Sequence, residues 1–171
     1  VSSISFAISK RFEKHSLDVK NLAKKGHAFT SNKDTNILST LDTNSIIQTD
    51  YLTVTPNENL EKLVDLISHS NQVIFAVVDA ENHLLGIVHF NDIREIIFNT
   101  YRVKYTLVKE IMTEPVETIY PDDSMELVMN KFEKSRKAFL PVLKNDKYFG
   151  FISKSVALEA YRTKLRSMTI E

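Results

Sequence analysis

The chain has 171 residues, 43% of them hydrophobic, and its 22 Lys and Arg balance 22 Asp and Glu. That content supplies a buried core, and the charge balance argues against the strongly basic face from which nucleic-acid binders draw counterion release. The absence of cysteine excludes disulfides and thiolate metal sites, and no apolar run approaches the ~20 residues that cross a bilayer.

In chain order, "VSSISFAI" opens an apolar start, and the first residue is Val rather than Met, so the chain reads as a piece of a longer protein. Residues 9–26, "SKRFEKHSLDVKNLAKKG", carry six basic side chains (Lys10, Arg11, Lys14, Lys20, Lys24, Lys25) against Glu13 and Asp18. Tyr51 to Val54 is β-prone. "TPNE" then predicts a helix start, with Thr55 as cap, Pro56 at the first helical position and Glu58 completing a capping box. Leu60, Leu63, Val64 and Ile67 follow at helical spacing. Val73 to Val78, a polar turn at Asp79 to His83, and an apolar run through Gly86 predict a β-hairpin. Ile93, Ile96 and Ile97 predict a second helix, for which "DIRE" offers Asp92 as cap and Glu95 three residues on.

The same series then recurs. Val116 to Ile119 is β-prone, "YPDD" places Pro121 and two acids at a helix start, and Met125, Val128, Met129 and Phe132 hold helical spacing. Ala138 to Leu143, a turn at Lys144 to Lys147, and a run through Gly150 predict the second hairpin, followed by Val156, Leu158 and Ala160 on a last helix. Only three glycines occur, and two of them, Gly86 and Gly150, stand 64 residues apart in matching surroundings. Each marks a bulge or a close backbone approach. The expected class is α+β: two βαββα units, each near the lower size for autonomous stability and so packed on the other.

Asp122 and Asp123 fall where acids suit a helix dipole, and no nucleophile with a partner base, phosphate loop or metal cluster is present, so the chain does not read as an enzyme. The five histidines (His15, His27, His69, His83, His89) show no metal-ligand spacing, and no metal site is expected.

The ordered set "IIQTDYLTVTPNENLEKLVDLISHSNQVIFAVVDAENHLLGIVHFNDI" and "VKEIMTEPVETIYPDDSMELVMNKFEKSRKAFLPVLKNDKYFGFIS" resembles a tandem pair of cystathionine-β-synthase-type (CBS) domains, related by a pseudo-two-fold axis. On that resemblance residues 1–36 form a juxtamembrane connector and linker, 37–104 the first CBS repeat and 105–171 the second. Such pairs are regulatory, commonly homodimeric, and many bind adenine nucleotides (AMP, ADP, ATP) between the repeats. Residues 9–26 are similar to the connector that follows the last membrane helix of bacterial CLC-type chloride channels and chloride/proton antiporters. A basic stretch there suits the cytoplasmic side of a bacterial inner membrane. The resemblance therefore implies a non-catalytic cytoplasmic domain joined to a membrane channel domain of the same polypeptide, soluble as an isolated fragment. The alternative is a soluble energy sensor that regulates another partner.

In nucleotide-binding members the strand after the glycine ends in Ser/Thr-x-x-Asp, whose acid accepts from the ribose hydroxyls. The first copy reads His89-Phe90-Asn91-Asp92 and the second Ser153-Lys154-Ser155-Val156, so each keeps half. The resemblance makes the cleft at Asp92, His89 and Asn91 the candidate nucleotide site, with Thr113, Pro115, Val116, Lys137 and Ala138 opposite. The second cleft, at Thr49, Tyr51, Ser153 and Val156, is expected to be degenerate. Asp92 as a helix cap alone, and His89 as an ordinary loop histidine, stand as the competing readings.

Overall fold

The computed structural model describes residues 32–169; residues 1–8 and the basic stretch 9–26 lie outside the described residues. The elements run α1 (Asn32–Ser39), a 3-10 turn (Thr43–Ile46), β1 (Thr53–Val54), α2 (Leu60–Ser68), β2 (Ile74–Val78), β3 (Leu84–His89) and α3 (Phe90–Ile93). They continue with α4 (Thr100–Tyr105), α5 (Val108–Ile111), α6 (Met125–Ser135), β4 (Phe139–Lys144), β5 (Lys147–Ser153) and α7 (Lys154–Thr169).

The helical spacing becomes burial. On α6, Met125, Val128, Met129 and Phe132 are all buried; on α2, Leu60 and Leu63 are buried and Val64 and Ile67 half-buried. Both helix starts differ from the expectation in the same way. The α2 cap is Asn59, whose side chain accepts from the Lys62 amide, and the α6 cap is Ser124, accepting from Leu127. Glu58 instead accepts from the Thr55 amide at 2.8 Å and Asp123 from the Tyr120 amide at 3.0 Å, each closing the turn that precedes its helix. The expected helix at Ile93, Ile96 and Ile97 is broken into α3 and α4, with Asn99 capping the second piece. The expected strand at Val116 to Ile119 is reduced to a single bridge, Ile119 to Val142.

β1 pairs parallel to β2, which pairs antiparallel to β3; β4 pairs antiparallel to β5. Both hairpins slip register at equivalent places. Val77 faces Gly86 while Val78 faces Leu84, and Val142 faces Gly150 while Leu143 faces Tyr148, so Leu85 and Phe149 are the extra, bulged residues. With glycine so scarce, left-handed turn positions fall to Asn82 (φ 69°), Asn145 (φ 52°) and Asp146 (φ 61°), residues that tolerate that region through local hydrogen bonding.

Both glycines stand where the other copy's leading segment crosses the sheet. Gln48, near the start of the first copy, exchanges two backbone hydrogen bonds of 2.9 Å with Phe151; Thr113, near the start of the second, does the same with Ile87. A Cβ on Gly150 would lie 2.3 Å from the Gln48 carbonyl oxygen, and one on Gly86 would lie 3.1 Å from that of Thr113. Each hairpin is thus extended by a segment leading into the opposite repeat. The two copies are stitched by exchange as well as by packing.

Three apolar clusters follow. One joins α2, β2, β3 and the helices up to α5; one joins α6, α7 and the second hairpin, together with Leu38 of α1 and Ile46. The third, Ile74, Ala76, Val78, Ile87, Tyr148 and Phe151, lies between the two sheets. This is why β2 is buried at every position: alternate side chains serve the helical cluster and the shared one. Helix α1 packs on α6 and α7, and Tyr161 donates a hydrogen bond to Asp34. Burial first, and that bond second, push the Tyr161 phenol up to about 12.

Tyr148 is 8% exposed, and its hydroxyl has no hydrogen-bond partner among the described residues. Burial raises its phenol above the ordinary tyrosine range, with Tyr51 and Asp50 adding to the shift. A buried hydroxyl without a partner costs about 1–3 kcal/mol. Tyr148→Phe is therefore expected to raise stability by about 1 kcal/mol in urea unfolding; a loss of stability would reveal a partner for the hydroxyl.

In the first hairpin turn, Asp79 Oδ1 accepts from the Glu81 and His83 amides at 2.9 and 2.8 Å. His83 Nδ1 lies 3.0 Å from Asp79 Oδ2 and 3.6 Å from Glu81 Oε2, a set of donors close enough to share a cation. The His83 amide leads the groups that hold the Asp79 carboxyl below its ordinary value. The folded state binds that proton more weakly than the unfolded chain does. This contribution is present above the unfolded carboxylate range and lost as pH falls through the lower, folded value. Asp79→Ala should flatten the acid limb of melting temperature against pH, and an unchanged limb would contradict the assignment.

Candidate functional site

β3 carries the first copy's contribution to the cleft between the repeats, and the residues after α5 carry the second's. His89 ends β3 and precedes α3; Asp92 is the third residue of α3 and not its cap. Its Oδ2 accepts from the His89 amide at 3.0 Å, while Oδ1 has no hydrogen bond among the described residues. One carboxylate oxygen fixes the side chain, and the other is left to accept. The helix thus starts three residues before the cap expected from the sequence, at His89, to which Asp92 reaches back.

Asp92 and His89 line a cavity of about 110 Å³ whose opposite wall includes Thr113, Pro115, Val116 and Lys137. Asn91 and Ala138 are exposed and are not among its lining residues; the Ala138 carbonyl accepts from the Lys154 amide. Ile87, Glu114, Glu117, Phe139, Leu140 and Pro141 complete the wall and did not emerge from the sequence. Glu114 and Glu117 flank residues already singled out; Phe139 mirrors Ile74 of the first copy, a position fully buried in the shared cluster.

Residues 44–99 and 108–162 each match the CBS domain family model, together more than half of the chain. The chain belongs to the CBS-domain family. Its CBS pair is similar to the CBS domain of a CBS-domain-containing membrane protein from Sphaerobacter thermophilus, at 18% identity and a TM-score of 0.66, covering 75% of this chain and 94% of that one. A CBS domain pair in complex with 5′-methylthioadenosine and S-adenosyl-L-methionine aligns at 20% identity and TM-score 0.61, covering 72% of this chain and 98% of that one. A third solved structure, a complex with AMP, aligns at 19% identity and TM-score 0.59, covering 71% and 96%. Among curated proteins, a homoserine O-acetyltransferase from Methanococcus vannielii is 29% identical over 110 residues; these are 64% of this chain and 22% of the length of that enzyme.

The second cleft of the CBS pair is a cavity of about 350 Å³ lined by Gln48, Asp50, Tyr51, Gln72, Val73 and Phe139, among others. Its walls repeat those of the first at an offset of 65: Gln48 for Thr113, Tyr51 for Val116 and Gln72 for Lys137. Of the residues expected there, Tyr51 lines it, while Thr49, Ser153 and Val156 do not. Ser153 is buried and caps α7, its Oγ accepting from the Val156 amide at 3.2 Å. Val156 packs on the helical cluster beside Leu41, lining a separate groove of about 450 Å³. The reason is chemical. At this position of the helix an aspartate gains by reaching back to an amide, whereas a valine gains by turning to apolar neighbours. Burial, and then the Asp50 charge, raise the Tyr51 phenol above its ordinary range.

Phe139 stands on both clefts, its ring 6.1 Å from that of His89 and 6.3 Å from that of Tyr51. Of the two acids at the start of α6, Asp123 has structural work. Asp123 accepts from the Tyr120 amide and pairs with Lys131 at 2.5 Å, and Lys131 also donates to the Thr118 carbonyl.

Proposed function

We propose that this CBS pair is a ligand-sensing regulatory module whose cleft at Asp92 takes the adenosine part of an adenine nucleotide. One observation carries the reading: Asp92 keeps a free carboxylate oxygen on a cavity whose other wall comes from the second repeat. A carboxylate so placed accepts from ribose hydroxyls, and a ligand spanning both walls binds one arrangement of the repeats better than another. That differential is what shifts a regulated equilibrium. The adenosyl ligands of two solved CBS structures support the same class.

Calorimetry with AMP, ADP and ATP tests this. Binding is expected in the wild type, and Asp92→Ala should weaken it by about tenfold or more, as loss of a charged hydrogen bond implies. Full affinity in Asp92→Ala would leave the acid as a structural group only.

The finer part of the proposal places the module on the cytoplasmic face of a bacterial inner membrane, as the regulatory domain of a CLC-type chloride channel or chloride/proton antiporter. There it joins the membrane domain through residues 9–26 and pairs with a second copy. The six basic residues of that stretch support it, as does the membrane protein among the similar structures. The second reading, a soluble energy sensor acting on another partner, is served by the cleft equally well, and no helix among the described residues is long and apolar enough to cross a membrane. Fractionation of the full-length gene product separates them. Recovery with the membranes favours the channel domain, and recovery in the soluble fraction favours the sensor.

A further inference from the structure

We propose that the Asp92 cleft selects adenosine derivatives without phosphate, carrying a neutral or cationic group at the 5′ position, over nucleoside phosphates. The inference rests on the reading of this cleft as an adenosine site and adds a rule of charge to it.

The walls carry three carboxylates, Asp92, Glu114 and Glu117, against one ammonium, Lys137. Glu117 is paired with Lys134 at 2.6 Å, but that lysine is 79% exposed, so solvent screens what it offers. Glu114 is exposed and has no side-chain partner among the described residues. Donors for a phosphate are few on the same walls: Lys137 is the one lysine there, and no arginine lines them. The His89 amide, a backbone donor at the cleft, is already given to Asp92.

Size acts in the same direction. About 110 Å³ is well below the roughly 300–1,000 Å³ of pockets that enclose a whole ligand. The cavity encloses only part of an adenosine ligand, and the remainder stays at the mouth, near the exposed Asp92 and Glu114 carboxylates. One unit of negative charge about 5 Å from a carboxylate loses roughly fourfold in affinity even at the dielectric of water, and a polyphosphate brings several units. A thioether escapes this penalty, and a sulfonium reverses its sign.

The test is calorimetry on the whole chain with 5′-methylthioadenosine, S-adenosylmethionine, AMP and ATP, without divalent cations, at low and moderate salt. The thioether and the sulfonium should bind at least about tenfold more tightly than ATP at low salt, with the gap narrowing as salt screens the walls. Glu114→Lys, checked for an unchanged circular-dichroism spectrum and melting temperature, should move the ratio of affinities toward ATP. AMP or ATP binding as tightly as the thioether, or a gap indifferent to both salt and Glu114→Lys, would overturn the charge rule while leaving the adenosine site standing. Binding by none of the four would remove the adenosine reading and this rule together.

Discussion

Replacing Gly150 with alanine is expected to destabilise the fold by about 3 kcal/mol, lowering the melting temperature by roughly 6–12 °C. The new methyl would stand 2.3 Å from a backbone oxygen, that of Gln48, with the Gln48 carbonyl carbon at 3.1 Å. Backbone can move away only by giving up the paired hydrogen bonds between Gln48 and Phe151. Gly86→Ala meets the Thr113 oxygen at 3.1 Å and otherwise the end of a methionine, Met112, which yields easily. Its cost should be about 1 kcal/mol. Paired thermal melts read the asymmetry. Equal losses would mean that the exchanged segments do not press on the two hairpins as described.

Phe151→Ala should cost about 3–5 kcal/mol, the largest single loss expected for the joint between the repeats. The ring is fully buried and lies 5.1 Å from that of Tyr51 and 5.6 Å from that of Tyr148, centre to centre, both edge-on. The lost side chain takes its transfer free energy with it and leaves a cavity among Ile74, Ala76 and Val78, which are held by a strand and cannot collapse fully. Urea unfolding should show a lower midpoint with an unchanged slope. A loss below about 1 kcal/mol would place the weight of the joint elsewhere.

The fold was legible where one physical signal had no competitor. The period of Met125, Val128, Met129 and Phe132 has only a helical explanation, and the matched surroundings of Gly86 and Gly150 exposed the duplication. The helix starts misled because "TPNE" and "YPDD" offer several caps within five residues. Asn59 and Ser124 win, since Glu58 and Asp123 are occupied in closing the turns before them. The sequence marked the exchange between the copies only at Gly86 and Gly150, where a close backbone approach is expected, and did not say which segment approaches. A contact made through one residue, Gln48 or Thr113, sets up no alternation to read.

The candidate site divides in the same way. His89, Asp92, Thr113, Pro115, Val116 and Lys137 were expected together through the family resemblance, and they line one cavity. Phe139 was missed because its counterpart, Ile74, is buried in the shared cluster and faces no cleft. Val156 lines a separate groove and not the second cleft, because a valine at this position of the helix turns to apolar neighbours.

The claim at the centre is that two repeats build one adenosine site. Backbone amide shifts followed during titration with adenosine test it most directly. The account predicts that His89 and Asp92 in one repeat and Thr113, Val116 and Lys137 in the other move together, along one saturation curve. Movement confined to one repeat, to the Gln48 and Gln72 cleft, or to no residue at all would contradict it.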